Sequence, residues 1–137
     1  LTFGTWEDAD VYGVEPQPTD AGFEFFLFGK LPIEVPALGM HNVSNALASI
    51  ATALWLGRDP IAVRNALLAY RPPAMRMSRE VVGPVLLIND AYNANPRSMD
   101  AAIRELALRG RRGRRVAVLG EMLELGRHSE EYHRALG

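Results

Sequence analysis

The sequence contains no cysteine, which excludes disulfide bonds, thiolate metal sites and catalysis by a cysteine nucleophile. No apolar run approaches the ~18 residues of a membrane-spanning helix. The acidic opening, LTFGTWEDAD, lacks the basic start of a signal peptide. Fifteen basic against sixteen acidic side chains give a net charge of −1, without the basic excess of a typical nucleic-acid binder. A hydrophobic content of 48% indicates a chain with a packed core.

The sequence also lacks a Gly-x-x-x-x-Gly-Lys-Ser/Thr loop, so it has no phosphate-binding loop of this kind. Its single lysine, Lys30, lies in the unrelated stretch Phe28-Gly29-Lys30-Leu31. A length of 137 residues is enough for one domain or two small ones. The chain starts at Leu1 without an initiator methionine and stops at Gly137 within a helical pattern. We therefore interpret it as a piece of a longer protein.

Charge divides the chain into two parts. Residues 1–73 carry four basic and eight acidic side chains, whereas residues 74–137 carry eleven and eight, so the net charges are −4 and +3. The change coincides with Arg71-Pro72-Pro73-Ala74, where proline ends a helical pattern. We predict a domain boundary here, between 1–73 and 74–137.

The first part predicts strands followed by two helices. Prolines punctuate residues 1–36, whose apolar and aromatic runs are typical of strands and turns. Between residues 42 and 56 apolar side chains recur at helical spacing, which predicts a helix with Asn42 as N-cap and Gly57 just past its end. Asp59 is the predicted N-cap of a second helix.

The second part predicts an α/β arrangement. Residues 77–82 and 85–88 flank a Gly-Pro turn and predict a hairpin. Pro96 opens a predicted helix, residues 116–119 predict a short buried strand, and Ser129 is the predicted cap of a last helix. Strand, helix and parallel strand together indicate a doubly wound α/β domain, in which ligands bind at the carboxyl ends of strands.

One polar cluster lies at the predicted start of the first helix, in GMHNVSN. Asn42 and Asn45 are three residues apart and share a helix face near free backbone N–H groups. Amide side chains have both a donor and an acceptor, which suits the edge of an adenine ring. The alternative is an asparagine cap with a solvated asparagine one turn later.

A second cluster, NDAYNANP, follows the second strand of the predicted hairpin. Asp90 lies where an acid of an α/β fold reaches a ribose hydroxyl, and Asn93, Asn95 and Tyr92 add hydrogen-bonding groups. Turn chemistry followed by a capped helix explains the same residues equally well. Both interpretations stay open.

The remaining candidates are single side chains. Glu121, after the last predicted strand, could bind an ammonium or a ribose, or be a solvated loop acid. Arg76 could clamp phosphate oxygens or lie on the surface. His128 and His133 lack a carboxylate partner at ligand spacing, so we predict no metal site there. A solvated loop is predicted for four clustered arginines: Arg111, Arg112, Arg114 and Arg115.

Three motifs together resemble the Mur ligases. GMHNVSNALA is similar to the family's Gly-x-His-Asn-x-x-Asn-Ala-x-Ala helix start. NDAYNANPRSMDAAI and VAVLGEMLELGRHSEEYH resemble those members that add D-alanyl-D-alanine to a UDP-N-acetylmuramoyl tripeptide. Sister ligases carry a Tyr-Ala-His turn instead. The resemblance runs from about residue 38 to residue 137, with two departures: Pro-Pro-Ala-Met-Arg replaces Gly-Arg, and Glu121 replaces Asp.

The resemblance implies a fold and a reaction. Residues 1–73 would end a central ATPase domain, and residues 74–137 would begin a Rossmann-like C-terminal domain. The parent enzyme would use ATP and Mg²⁺ to activate a carboxylate as an acyl phosphate. Asn42 and Asn45 would face adenine, Asp90 would hold the ribose, and Arg76 would approach the terminal phosphates as the catalytic cation.

Further expectations follow from the same resemblance. Asn93, Asn95 and Glu121 would bind the incoming dipeptide. The phosphate loop, the magnesium ligands and a carbamylated lysine would lie outside this chain, so alone it would be inactive. The parent would be a cytoplasmic enzyme of peptidoglycan precursor synthesis that binds no nucleic acid and no membrane.

Two other classes remain open. A related ligase of the muramoyl-dipeptide or folylpolyglutamate type would keep the asparagine helix but lack the Asn-Ala-Asn-Pro turn. A non-catalytic α/β binding module would have no ATP chemistry. A Gly-Lys-Thr phosphate loop in the coding sequence upstream of Leu1 would separate the ligases from the module.

Overall fold

A computed structural model describes residues 1–109 and 113–137. The chain forms two compact units, Leu1–Pro72 and Pro73–Gly137, here called unit 1 and unit 2. Both combine strands with helices, as the α/β prediction requires. Among the described residues, no helix combines the length and apolar character needed to cross a membrane.

Unit 1 begins with a four-stranded sheet in sequence order. Its strands are β1 (Phe3–Gly4), β2 (Val11–Pro18), β3 (Phe23–Leu27) and β4 (Leu31–Val35). The β1–β2 pair is parallel, and the other two pairs are antiparallel. Buried and exposed residues alternate along β3, because successive side chains of a strand point to opposite faces. One face of the sheet therefore supplies large apolar side chains to the core.

Two helices complete unit 1, α1 (His41–Trp55) and α2 (Pro60–Leu68). The Gly57 amide donates to the Leu54 carbonyl and the Arg58 amide to the Ala53 carbonyl, which is the Schellman end that the sequence predicts. The Asp59 carboxylate accepts from the Ala62 amide at 2.9 Å and confirms the predicted cap of α2. The buried side of α1 packs with the sheet in the core: Val43, Ala46, Leu47, Ile50 and Ala51.

The predicted N-cap of α1 is wrong. The helix begins at His41 with Met40 as N-cap and no side-chain cap, so Asn42 lies inside the first turn. Instead of accepting from a free amide, the Asn42 side chain donates its Nδ2 hydrogen to the Leu38 carbonyl at 2.7 Å. The bond joins α1 to the segment that follows β4.

Unit 2 contains the predicted hairpin and helices. Its elements are β5 (Ser78–Val82), β6 (Val85–Asn89), α3 (Pro96–Arg109), a short 3₁₀ turn (Gly126–His128) and α4 (Ser129–Leu136). β5 and β6 are antiparallel. The prediction that Ser129 caps the last helix is wrong: Ser129 is the first residue of α4, His128 is the N-cap, and no side chain caps it. The preceding 3₁₀ turn already supplies the backbone geometry that leads into α4.

The predicted strand at residues 116–119 is also wrong. These residues form no strand, and Val118 is 93% exposed. A strand needs hydrogen bonds from a neighbour, and within the described part of unit 2 β5 and β6 pair only with each other. The described part of unit 2 therefore does not contain the predicted unit of two parallel strands joined by a helix. The nearby apolar side chain that becomes buried is Met122, at 1% exposure.

The predicted arginine loop is only partly described, because Arg111 and Arg112 lie outside the described residues. Arg114 and Arg115 are exposed, in agreement with a solvated loop. However, Arg115 donates a hydrogen bond to the Ala107 carbonyl at 3.1 Å, so it also satisfies a backbone acceptor near the end of α3.

Candidate functional site

The start of unit 2 holds Arg76 in a tight backbone arch, residues Met75–Met77, which we call the arginine arch. Met75 and Met77 have φ angles of +61° and +52°. Left-handed backbone costs a residue with a Cβ about 1–2 kcal/mol. Such conformations persist where surrounding contacts hold them, and they cluster at functional sites. The arch is therefore a candidate site on conformational grounds alone.

Four hydrogen bonds hold the arginine arch, and one of them runs from the Arg76 amide to the Pro73 carbonyl at 3.3 Å. The Tyr92 amide donates to the Met75 carbonyl at 3.1 Å, and the Met77 amide donates to Asp90 Oδ1 at 2.9 Å. The Met75 amide donates to the Ser78 hydroxyl at 3.3 Å. Met77 itself is 4% exposed and anchors the arch. Asp90 lies 13 positions after Met77, and Tyr92 lies 17 positions after Met75. These two distant residues thus fix the backbone on both sides of Arg76.

The Arg76 guanidinium lies over the ring of Tyr92, with 3.9 Å between Cζ and the ring centroid. Both residues are exposed. Stacking uses the flat face of the guanidinium and leaves its N–H edge able to bind an anion. From the sequence, Tyr92 is predicted only as a hydrogen-bonding group. No local pattern predicts its contact with Arg76, because the two residues are 16 positions apart.

Asp90 comes directly after β6 and is half-buried. Its Oδ1 accepts the Met77 amide, so part of its role is to hold the arginine arch. Within the described residues Oδ2 accepts no hydrogen bond, and this oxygen can serve a ligand. Arg76 and Asp90, which the sequence analysis chose separately, therefore lie in one corner of unit 2.

The turn after Asp90 shows the capped-helix chemistry that the sequence analysis left open. Asn95 Oδ1 accepts the Ser98 amide at 3.0 Å, and Ser98 Oγ accepts the Asn95 amide at 3.1 Å. This reciprocal pair caps α3. Asn93 Oδ1 accepts the next amide, that of Ala94. Both asparagine oxygens are thus engaged by the backbone, and the Nδ2 groups are what each has left for a ligand.

The asparagine pair of unit 1 is connected as its spacing predicts. Asn45 Nδ2 donates to Asn42 Oδ1 at 3.1 Å, and Asn42 Nδ2 lies 3.3 Å from His41 Nε2. Gly39 precedes them with a φ of +90°, and a Cβ there would lie 2.5 Å from the His41 ring. Glycine thereby permits the close approach of the His41 ring. Asn45 is exposed and presents its remaining amide groups to solvent.

The last candidate, Glu121, is exposed, and within the described residues it has no ion-pair partner. Its neighbour is fixed: the Met122 amide donates to His133 Nε2 at 3.1 Å, and His133 Nδ1 lies 2.7 Å from the Ser129 carbonyl. A neutral ring with its proton on Nδ1 satisfies both contacts. This contact of His133 with the Met122 amide is not among the predictions from sequence, although the i, i+4 spacing of Ser129 and His133 is a signal for the contact between those two residues.

The absence of a metal site at His128 and His133 stays a prediction. No group of three or more potential ligands is found among the described residues. His128, for which the sequence analysis found no partner, lies 3.3 Å from the Glu131 carboxylate, so that expectation is corrected. The contact spans three residues of one helical turn and is exposed.

Known proteins match both units. A family model described as the Mur ligase, glutamate ligase domain, matches residues 75–137, nearly all of unit 2. A crystal structure of MurF from Acinetobacter baumannii superposes on 99% of the chain with a TM-score of 0.89 and 34% identity. The MurF ligase of Thermotoga maritima, solved in complex with ADP, matches 99% of the chain with a TM-score of 0.81 and 25% identity. The fold is thus that of part of a Mur ligase.

Curated relatives indicate the kind of Mur ligase to which this chain is similar. The UDP-N-acetylmuramoyl-tripeptide–D-alanyl-D-alanine ligase of Bacillus subtilis is 35% identical over 99% of this chain, and that of Escherichia coli is 37% identical over 87%. The chain belongs to this ligase family, called MurF. It spans about 30% of the Bacillus relative and 30% of the Acinetobacter structure.

Proposed function

We propose that this chain is part of an ATP-dependent amide ligase that joins D-alanyl-D-alanine to a UDP-N-acetylmuramoyl tripeptide, in the cytoplasm. Residues 1–73 are the end of its central ATPase domain, and residues 74–137 are the first half of its Rossmann-like C-terminal domain. The observation that carries the proposal is the arginine arch, whose fixed backbone presents the exposed Arg76 side chain beside the half-buried Asp90, in a chain that matches these ligases along its own length.

The reaction proceeds in two steps. A carboxylate oxygen of the tripeptide takes the γ-phosphoryl group of ATP, which gives an acyl phosphate and ADP. The amine of the dipeptide then attacks the acyl carbon, loses a proton and expels phosphate. Both steps place negative charge on phosphate oxygens, and fixed cations stabilise such charge because they need no reorganisation. The edge of the Arg76 guanidinium supplies such a cation.

Nucleotide recognition is assigned to the remaining polar groups. The free oxygen of Asp90 accepts from a ribose hydroxyl, as acids at the carboxyl ends of strands do. Asn42 and Asn45 face the adenine edge with the amide groups that their mutual hydrogen bond leaves available. The Nδ2 groups of Asn93 and Asn95 and the carboxylate of Glu121 bind the dipeptide, with Glu121 opposite its ammonium.

We expect the magnesium ligands to lie outside this chain. The described residues contain no cluster of carboxylates and histidines that fits a divalent cation, and the sequence has no phosphate-binding loop. The proposal therefore places both in the parts of the ligase that this chain does not span. The 137 residues alone are expected neither to hydrolyse ATP nor to form the amide.

The test is a ligation assay on the full-length protein. ADP release should require the UDP-linked tripeptide and D-alanyl-D-alanine together, and mass spectrometry should find the pentapeptide product. Glutamate or diaminopimelate offered in place of the dipeptide separates the sister ligases. A product with either of them, or binding of ligands without ADP release, would contradict the proposal.

Two variants locate the chemistry. In the full-length protein, Arg76→Ala should lower kcat far more than it raises KM for ATP, because a cation that acts on the transition state contributes mainly to rate. Arg76→Lys should recover little, since an ammonium cannot replace a bidentate fork. Near-wild-type kcat in Arg76→Ala would end the catalytic assignment.

A further inference from the structure

The Tyr92 side chain is large and aromatic, but it is not buried. It is 62% exposed, and its hydroxyl forms no hydrogen bond within the described residues. A large aromatic side chain at a turn normally finds a buried surface, since burial of its ring is what stabilises it. The ring of Tyr92 instead lies under a charged group, the Arg76 guanidinium.

Tyr92 reaches the arginine arch twice. Its backbone amide donates to the Met75 carbonyl, and its ring lies 3.9 Å from Arg76 Cζ. The first contact fixes the backbone that carries the ring, next to the backbone that carries Arg76. The ring is thus placed under the guanidinium by a hydrogen bond that is independent of the stacking.

Three arginines of unit 2 that do form ion pairs show, by contrast, why the arrangement of Arg76 is useful. Arg104, Arg109 and Arg134 each direct N–H groups to a carboxylate four residues earlier. Such a pair occupies the edge of the guanidinium, which is the part that binds a phosphate bidentately. Arg76 forms no ion pair within the described residues and is held by its face, so its edge stays open to an anion while its orientation is restricted.

We propose that Tyr92 is a positioning residue that holds Arg76 by its face with the N–H edge presented to phosphate oxygens. This inference rests on the proposed ligase function for its kinetic part. A stack at an exposed site changes the population of the held orientation by about two- to fivefold. The ring alone is required, so phenylalanine should replace tyrosine, whereas leucine should not.

The kinetic experiment uses the full-length protein and four variants: Tyr92→Phe, Tyr92→Leu, Arg76→Ala and the double variant Tyr92→Leu/Arg76→Ala. Tyr92→Leu should lower kcat about two- to fivefold with KM for ATP little changed, and Tyr92→Phe should restore kcat. In the Arg76→Ala background, Tyr92→Leu should have no further effect, because the side chain through which it acts is gone. Tyr132→Leu removes another exposed ring of unit 2 and is the matched control.

A spectroscopic readout is independent of catalysis. In ¹⁵N-arginine-labelled full-length protein, the Arg76 Nε–H resonance, assigned by its loss in Arg76→Lys, should be displaced by the ring current in wild type and Tyr92→Phe. The displacement should vanish in Tyr92→Leu and persist in Tyr132→Leu. An inactive wild type would defeat the ligase proposal, and this spectrum would then still decide whether Tyr92 holds Arg76.

Three results would overturn the inference. Equal losses in Tyr92→Phe and Tyr92→Leu would assign the effect to the hydroxyl. An undiminished effect of Tyr92→Leu in the Arg76→Ala background would mean that the ring acts elsewhere. An Arg76 resonance unaffected by Tyr92→Leu would show that the stack is not populated.

Discussion

The two units are held together in different ways. In unit 1, β3 and α1 bury large side chains against each other, and Phe25, Leu47 and Ile50 are at most 1% exposed. In unit 2, strands β5 and β6 are largely exposed, and even the apolar Val81 is 67% exposed. Its order comes from the hairpin, the cap of α3 and side-chain bonds such as that from Met122 to His133.

This difference explains where the candidate chemistry lies. Burial stabilises a whole unit without directing any one polar group, whereas hydrogen bonds fix particular atoms. The arginine arch donates hydrogen bonds to Asp90 and Ser78 and accepts one from the Tyr92 amide, and these bonds hold two left-handed residues within it. A strained arch of this kind needs directional contacts, and these contacts also orient Arg76.

The largest effect should come from the core of unit 1. Leu47 is fully buried, so Leu47→Ala should lower the free energy of unfolding by about 2–5 kcal/mol, through lost burial and the cavity left behind. Urea unfolding of the 137-residue chain by tryptophan fluorescence measures it, because Trp6 and Trp55 both lie in unit 1. The control is Ile61→Ala in α2, because the Ile61 side chain is 52% exposed. This substitution should change the free energy of unfolding by no more than about 0.5 kcal/mol. Equal losses would contradict a core centred on α1.

Substitution of one glycine in each unit by alanine should have a smaller effect on stability, and the effect should differ between the units. A Cβ at Gly22 would lie 2.0 Å from the Val35 carbonyl oxygen, so Gly22→Ala should destabilise unit 1 by about 1–3 kcal/mol through forced displacement of backbone. Gly83 has open space and a φ of +58°, so Gly83→Ala should cost unit 2 only about 1 kcal/mol of conformational strain. Amide hydrogen exchange, followed residue by residue, measures both. A larger loss of protection for Gly83→Ala would reverse the comparison.

Removal of a helix cap should lower the stability of the two units by about the same amount. Asp59→Ala removes the cap of α2 and Asn95→Ala that of α3, and each should lower stability by about 1 kcal/mol. Protection of the first-turn amides gives the effect. Asn95→Asp keeps a capping oxygen and should restore protection. If it also raises KM for the dipeptide in the full-length protein, Asn95 binds substrate in addition to capping; an unchanged KM would leave only the cap.

The smallest expected effect is the pH dependence of stability that one carboxylate of unit 1 contributes. The Thr2 amide and hydroxyl donate to the Asp10 carboxylate and hold its pKa below the ordinary value of 3.8. Because the folded-state pKa is the lower one, this contribution to stability is complete above that value and is lost as the pH falls through the folded-state pKa. The stability difference between wild type and Asp10→Asn should therefore shrink on acidification. A difference that is constant between pH 5 and pH 2.5 would contradict the hydrogen-bonded carboxylate.

Local patterns predicted the elements whose causes are local. The apolar spacing of α1, the left-handed Gly57 after it and the Asp59–Pro60 start of α2 all act within a few residues. The Gly-Pro turn of the β5–β6 hairpin is equally local. Predictions failed where a distant partner decides. The run 116–119 has the composition of a strand, but a strand also requires a neighbour, and its own sequence cannot supply one.

The same division holds for the candidate site. The sequence by itself determined that Arg76, Asp90 and the asparagines are the candidate polar groups. Arg76 comes just before a predicted strand, whereas Asp90 and the asparagines follow a predicted strand or lie near the start of a predicted helix. Only the tertiary structure decided that Asp90 accepts the Met77 amide and that the Tyr92 ring supports Arg76. These contacts join residues 13 and 16 positions apart, and they form because the hairpin and the turn after β6 bring both ends of the segment to one corner.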